Sequence, residues 1–534
     1  MKRNIFKPVA LAIFITIGHS ACVKKLDLLP VNDLTSVQVY KTPEGYKQAL
    51  AKVYGAFATT GNNGPLDGDI QGIDAGASDF FRLFWYLQEL STDEAVVSWG
   101  EPGLPDLHDL NWSATNPFSK GLYYRSMYQI TLANDFIRQS ADELVTKRGI
   151  SGEDAAKVKA YRAEARFIRA YQYWVMLDIY ANPPFVTEVD ELGSILPRQI
   201  PRADLFTYIE SELKAIDPEL PGARQNEYGR ADKAAVWALL ARLYLNAQVY
   251  TGNARYTDAI AYAKKVIDGG YSLTDNYEHL FLADNDQNHN EFILTINYDG
   301  IRTQNYGGST FLTHAPVGGS MSAAQFGIDG GWYGMRTTKS LVNLFPANTN
   351  TLFPNNGNPD KRAEFYTIGQ SLEISDQRTF TDGYGVTKFR NVKRNGLPGS
   401  SPSFADMDMP LFRLSEMYLI YAESVLRNGQ GGDLSTAIGY VNKIRTRAYG
   451  GSAVGNVTAI SEDFILGERA RELFWEGFRR TDLIRFNRFT GSDYLWPFKG
   501  GVKEGKAVEA FRSIYPIPAD DLTANPLLIQ NKGY

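Results

Sequence analysis

The densest carboxylate cluster in the sequence is Glu468, Glu472 and Glu476, spaced four apart. Two carboxyl groups facing each other across a cleft can run acid/base hydrolysis of a glycosidic bond, but carboxylates stacked along one face of a regular helix cannot flank a cleft. Arg469, Arg471, Arg479 and Arg480 share the stretch, and Arg413 and Arg445 lie on nearby predicted helices. Charges at these spacings pair, so the expectation is structural ion pairing rather than chemistry. Nor does the chain hold an HExxH, a G-x-S-x-G, a P-loop or a dinucleotide glycine fingerprint. Nothing in it assembles the parts of an enzyme.

Three other groups of residues invite a chemical reading. Asp284/Asp286 and Asp406/Asp408 stand in D-x-D spacing. In extended backbone, residues i and i+2 project to one side, so their carboxylates converge as a hard cation such as Ca2+ wants. Plain solvated loops carry the same pattern, and the glycine and terminal glutamate of an EF-hand are missing. Trp99, Trp112 and Trp332 lie in irregular segments, whereas Trp174, Trp237 and Trp475 fall at helical core spacing. A loop tryptophan is either a stacking face or the centre of a small cluster under its loop. Cys22, the only cysteine, closes an apolar run from Val9 to Ile17 that follows Lys2, Arg3 and Lys7. A bilayer span needs about 20 apolar residues, so residues 1–21 read as a removable export signal. Gly18, Ser20 and Ala21 before Cys22 give the order of a lipoprotein signal, in which the thiol is lipidated and becomes the new N-terminus. His19 departs from it, standing where such signals usually carry Leu.

The scaffold that must position these residues reads as mainly helical. Loss of Lys2, Arg3 and Lys7 with the leader takes the net charge from −5 to −8, which argues against nucleic acid as a partner. With no second cysteine the mature chain has no disulfide, so stability must come from a large core. Length alone suggests several domains, but a helical solenoid overrides that prior because each unit packs only on its neighbours. Trp237, Leu240, Ala241 and Tyr244, with Ala259 and Ala263, fit a tetratricopeptide-like helical pair; Tyr418, Tyr421, Ala422 and Val425, with Ala437 and Val441, repeat it, and Phe167, Ala170, Tyr171 and Trp174 echo it. Asn182, Pro183 and Pro184 end one helix, and Gly269 with Gly270 caps another. Two stretches, about 58–118 and 271–410, lack helical periodicity and read as large irregular insertions with loops and short strands on the pairs. Aromatics make up 13% of the chain, with 31 Tyr and 8 Trp, more than helical cores need. Such surface suits flat neutral ligands such as sugar rings.

Five stretches carry a resemblance over essentially the whole chain: "AEARFIRAYQYWVMLDIYANPPF", "GRADKAAVWALLARLYLNAQVYTG", "MPLFRLSEMYLIYAE", "ERARELFWEGFRRTDLIRF" and "YPIPADDLTANPLLIQNKGY". Together they resemble the SusD/RagB outer-membrane lipoproteins. Loop segments "STDEAVVSWGEPGLP", "YSLTDNYEHLFLADND", "DGIRTQNYGGSTFL" and "YLWPFKGG" are similar to the starch-utilisation branch. The resemblance implies a single SusD-like glycan-binding domain over 22–534, non-catalytic, lipid-anchored through Cys22 in the outer membrane and facing the cell exterior. It implies capture of starch-like α-glucan oligosaccharides for polysaccharide utilisation, and their delivery to a TonB-dependent SusC-like transporter; the alternative is a lid for another glycan or for a peptide. It assigns Trp99, Tyr306 and Trp332 to an aromatic arc, Asp74 and Arg82 to sugar hydroxyls, and Asp286, Asp406 and Asp408 to a structural Ca2+ far from the arc. Val97 and Pro102 stand where that branch carries a further arc Trp and a hydroxyl-binding Asn. Lys24 and Lys25 lie where surface-exported members often carry acidic residues.

Overall fold

The computed structural model describes residues 39–190, 193, 196–346 and 357–534. The export signal and Cys22 lie outside the described residues.

Helices dominate. Those that build the scaffold are α1 (Pro43–Ala58), α2 (Phe80–Trp85, continued by a wider turn over Tyr86–Leu90), α3 (Pro117–Gln139), α4 (Gly152–Ile179), α5 (Arg202–Ile216), α6 (Lys233–Leu245), α7 (Tyr256–Ile267), α8 (Gly308–His314), α9 (Leu414–Leu426), α10 (Leu434–Ala448), α11 (Glu462–Leu473) and α12 (Arg479–Arg485). Polar side chains start many of them: Thr42 caps α1, Asn116 caps α3 and Asp232 caps α6, each accepting from backbone N–H groups left free in the first turn. Helix α4 stops just before Asn182-Pro183-Pro184, with Ala181 in the left-handed region at φ 61°. Helix α7 stops before Gly269, and Gly270 takes φ 86°.

Neighbouring helices pack in sequence: α3 on α4, α4 on α5, α6 on α7, α7 on α9 and α9 on α10. The small residues of the tetratricopeptide-like register, Ala241, Ala259, Ala263, Ala422 and Ala437, are fully buried, as close helix approach requires. Strands are short and antiparallel: β1 (Val96–Val97) pairs with β3 (Met335–Arg336), β2 (Phe292–Ile296) with β6 (Met409–Arg413), and β4 (Phe365–Tyr366) with β5 (Gly385–Val386).

One difference from expectation lies within 58–118. Instead of irregular chain throughout, the run Phe80–Leu90 is helical and every residue in it is buried. The run is buried on every side, its polar residues Arg82, Gln88 and Glu89 included, so it has no solvent face to give an amphipathic period, and it sits inside the core rather than on top of it.

The glutamate cluster is structural, as expected, and three of its expected partners, Arg413, Arg445 and Arg471, do pair with it, joined by Arg362, Arg447 and Lys388. Glu468 binds Arg362, Arg445 and Arg471; Glu472 binds Arg362, Arg413 and Arg447; Glu476 binds Arg413 and Lys388. Arg469, Arg479 and Arg480 turn instead to Asp482, Asp93 and Asp178. Helix α11 ends at Leu473 and Trp475 takes φ 65°, so Glu476 reaches the layer from beyond the helix and not from its face.

Candidate functional site

Arg82 is the pivot of the candidate site. It follows Asp79, whose carboxylate caps α2 by accepting from the Arg82 N–H (2.9 Å). The same Asp79 oxygen accepts from the Gly308 N–H (2.8 Å) at the start of α8, so one buried carboxylate ties the Arg82 helix to the loop that carries Tyr306. Burial pushes Asp79 up to about 6, against the pull of those backbone donors. The Arg82 guanidinium donates through Nε to the Tyr86 hydroxyl (2.9 Å) and through Nη1 to the Tyr306 carbonyl (3.0 Å), and among the described residues Nη2 has no hydrogen-bond partner. Among the described residues, no carboxylate oxygen lies within 4.0 Å of this guanidinium, although Arg82 is only 8% exposed. Four aromatic rings surround it instead: Phe311 at 4.9 Å, Tyr86 at 5.5 Å, Trp99 at 5.7 Å and Trp332 at 6.0 Å. A buried cation with a free donor and aromatic walls is poised for a neutral polar ligand.

The rings form an arc. Trp99 and Trp332 centroids lie 6.3 Å apart with planes tilted by 42°, and Trp332 and Tyr306 lie 6.3 Å apart at 53°. The Trp99 indole N–H donates to the Trp332 carbonyl (2.9 Å), fixing one ring on the other's backbone. That closeness needs Gly334: a Cβ there would stand 2.4 Å from the Trp99 ring. His314 stacks on Trp332 (4.9 Å, 31°) and Phe404 on Tyr306 (5.3 Å, 50°), backing the arc from outside. Burial pushes the His314 imidazole below its usual range, keeping it a neutral ring. Asp74 sits at the edge, exposed, one oxygen accepting from the Ala77 N–H (3.1 Å).

The structure therefore brings Trp99, Tyr306, Trp332 and Arg82 together, with Asp74 at their margin. It separates Trp112 from them: that ring is buried, stacked on Tyr515 (4.2 Å, 20°), with its N–H bonded to the Tyr534 hydroxyl (2.6 Å). Val97 is buried in β1 opposite Met335 and offers no stacking face. Pro102 is exposed and has no N–H to donate. Asp79, Phe311, His314 and Phe404 were not singled out from the sequence. Only Asp79 had a legible signal, an Asp immediately before an apolar helical run.

Asp286, Asp406 and Asp408 line one cavity of about 700 Å3, together with Asp284 and Asp299. Its two walls are joined by a reciprocal amide pair, Asn285 Nδ2 to the Asp408 carbonyl (2.8 Å) and Asp408 N–H to Asn285 Oδ1 (2.9 Å). Asp408 accepts from the Tyr298 N–H and the Tyr228 hydroxyl (both 2.8 Å), and Asp406 accepts from the Gly300 N–H (2.9 Å). Burial pushes Asp408 up to about 7, and the charges of Asp286 and Asp406 push the same way. The donor type suits Ca2+, although among the described residues no three His, Cys, Asp or Glu side chains converge within ligating reach. The cavity is also nearer the arc than expected: Phe404, two residues before Asp406, is the ring stacked on Tyr306.

Residues 355–534 match the family described as the SusD family, and residues 86–245 one described as starch-binding associating with outer membrane. The chain is 34% identical to the starch-binding protein SusD of Bacteroides thetaiotaomicron, over 100% of this chain and 99% of that protein. Similar solved structures include a SusD superfamily protein of Parabacteroides distasonis, with TM-score 0.69, 21% identity and coverage of 91% of this chain and 99% of that one. Another is the surface glycan-binding protein A of Bacteroides thetaiotaomicron in complex with laminarihexaose, with TM-score 0.68, 20% identity and coverage of 91% and 99%. These two likenesses show a shared, mainly helical fold.

Proposed function

The chain belongs to the SusD family, and from that premise we propose that it captures starch-like α-glucan oligosaccharides at the outer membrane and passes them to a TonB-dependent SusC-like transporter. The family's proteins bind carbohydrate without transforming it, so binding is the chain's whole activity. One observation carries the reading: the buried Arg82 guanidinium, with no partner for Nη2 and no carboxylate beside it among the described residues, faces an arc of Trp99, Trp332 and Tyr306. Sugar C–H faces stack on the rings while Arg82, with Asp74 at the edge, takes hydroxyls. Neighbouring rings are tilted from one another by 42° and 53°, and such a non-planar surface suits a chain that curves, as an α-1,4-glucan does, better than a flat ribbon. Titration calorimetry is the test. Maltoheptaose is expected to give binding heat and a weaker response is expected from cellohexaose, whose β-1,4 links make it a flat ribbon; no heat from maltoheptaose at millimolar concentrations removes the α-glucan reading.

Two further parts belong to the same proposal. The first is a lipid anchor on Cys22, so that Cys22→Ala moves the protein from the membrane fraction to the soluble one; retention in the membrane refutes it. The second is a structural Ca2+ held by Asp286, Asp406 and Asp408, whose positive charge would oppose the burial and, after it, the repulsion that raise Asp408. Adding Ca2+ after EGTA treatment should stabilise the fold by about 2.7 kcal/mol at a hundredfold excess over Kd. An unchanged melting temperature would show that no ion binds there.

A further inference from the structure

Next to Trp332 the backbone takes a costly course. Tyr333 has φ 53°, in the left-handed region that bulky side chains rarely enter, and its side chain is left 53% exposed. The conformation is held from both sides: the Tyr333 N–H donates to the Val317 carbonyl (3.0 Å), and the Ser98 hydroxyl donates to the Tyr333 carbonyl. The corner it makes sends Trp332 towards His314 and Tyr306 and sends Tyr333 towards Phe380, at 5.4 Å and 58°. Gly318 lies beneath this second pair, where a Cβ would stand 2.6 Å from the Tyr333 ring and 2.8 Å from Phe380.

The loop carrying Phe380 is pinned from inside. Arg336, fully buried on β3, donates to the carbonyls of Gln377 (2.8 Å), Thr379 (2.9 Å) and Asp382 (2.8 Å). Its backbone pairs with Val96 on β1, three residues before Trp99, so the arc and this loop hang from one pair of strands. The same loop presents Arg378, exposed, with its guanidinium against Gly100 and so beside Trp99.

We propose that Tyr333, Phe380 and Arg378 form a further glycan subsite continuous with the arc, which takes sugar units of the same oligosaccharide once the chain outgrows Trp99, Trp332 and Tyr306. The inference rests on the glycan-binding reading. Phe380 is seated on the cluster of Val317, Phe326 and Ile328, and the Tyr333 ring packed on it is held exposed at the cost of backbone strain; a supported stacking face with a guanidinium beside it matches the arc's own chemistry.

Tyr333→Gly tests it, because glycine accepts the left-handed φ without steric cost and the variant should melt no lower than the native chain. Both proteins are titrated with maltotriose and maltoheptaose, and with laminaritriose and laminarihexaose. In whichever series the native chain binds, the variant is expected to lose about fivefold in affinity for the long member and to stay within about twofold for the trisaccharide. Arg378→Ala should follow the same pattern. Equal losses for long and short members, or no loss for either, overturn the subsite while leaving the arc in place. Failure of the native chain to bind either series overturns the glycan reading and the subsite with it.

Discussion

Replacing Glu472 with Ala is expected to cost about 3–5 kcal/mol of stability, the loss typical when one member of a buried ionic network is removed. Glu472 is fully buried and accepts from Arg413 Nη1 (2.6 Å), Arg362 Nη1 (3.1 Å) and Arg447 Nη2. Without it three guanidinium groups face one another across a site closed to water. Arg362 keeps Asp360 and Glu468, and Arg413 keeps Glu291 and Glu476, so the layer does not vanish, but its charge no longer balances. The pH dependence follows from the same contacts. Burial favours the neutral acid, but Arg362, Arg471 and Arg445 outweigh it at Glu468 and hold that carboxyl at about 2; Arg447, Arg413 and Arg362 hold Glu472 lower still. A carboxylate depressed in the folded state contributes stability above its ordinary value near 4.5, and that contribution is lost as pH falls towards 2. Denaturant midpoints of the native chain should therefore fall across this window, and Glu472→Ala should start lower and fall less. A variant as stable as the native chain would show that the layer carries no net stability.

Replacing Trp332 with Ala is expected to weaken maltoheptaose binding by about thirtyfold, since central aromatic residues of a contact surface typically contribute 2 kcal/mol or more. Trp332 is the middle ring of the arc, between Trp99 and Tyr306, and one of the faces lining Arg82. Its loss removes a stacking surface and also opens the guanidinium to water, which weakens whatever hydrogen bond Nη2 makes to a sugar hydroxyl. Folding should survive, because Trp332 is only partly buried and the Trp99 N–H bonds to its backbone carbonyl, which alanine retains. Calorimetry reads the affinity and thermal melting checks the fold. An unchanged Kd would place the ligand elsewhere on the molecule.

How much of this was legible depends on the range of the interactions. Helix pairs could be read because their signals are local: Ala241 and Tyr244 on α6 and Ala259 and Ala263 on α7 lie within one helical hairpin, and all four are fully buried. The role of the glutamates was legible, and so were Arg413, Arg445 and Arg471 among their partners, whereas Arg362, Arg447 and Lys388 were not. Arg362 lies 106 residues from Glu468 and 110 from Glu472, and no periodicity reports a contact that long-range packing creates. Tryptophan exposure was equally hidden. Trp99 and Trp112 both lie in non-helical sequence, yet one lines an arc and the other is sealed beneath the C-terminal Tyr534, a distinction made by tertiary structure alone. The three arc residues and the two polar ones came from family resemblance rather than from spacing, and the chain brings Trp99, Tyr306, Trp332 and Arg82 together, with Asp74 at their margin. Asp79 shows the opposite case: its position before "FFRLF" marks a helix cap, but its second bond, to Gly308 far along the chain, cannot be inferred from that mark.

The loop bearing Tyr306 is fastened at each end by a carboxylate, Asp406 at Gly300 and Asp79 at Gly308, and between them Asn305 Nδ2 donates to the Ala58 carbonyl (2.6 Å). Its conformational entropy is thus surrendered when the chain folds, so an arriving ligand has no loop to organise before the rings can meet it. The expected signature is kinetic. Association should proceed in one concentration-dependent phase, without a slow isomerisation, and variants within the arc should differ in how long the ligand stays rather than in how fast it arrives.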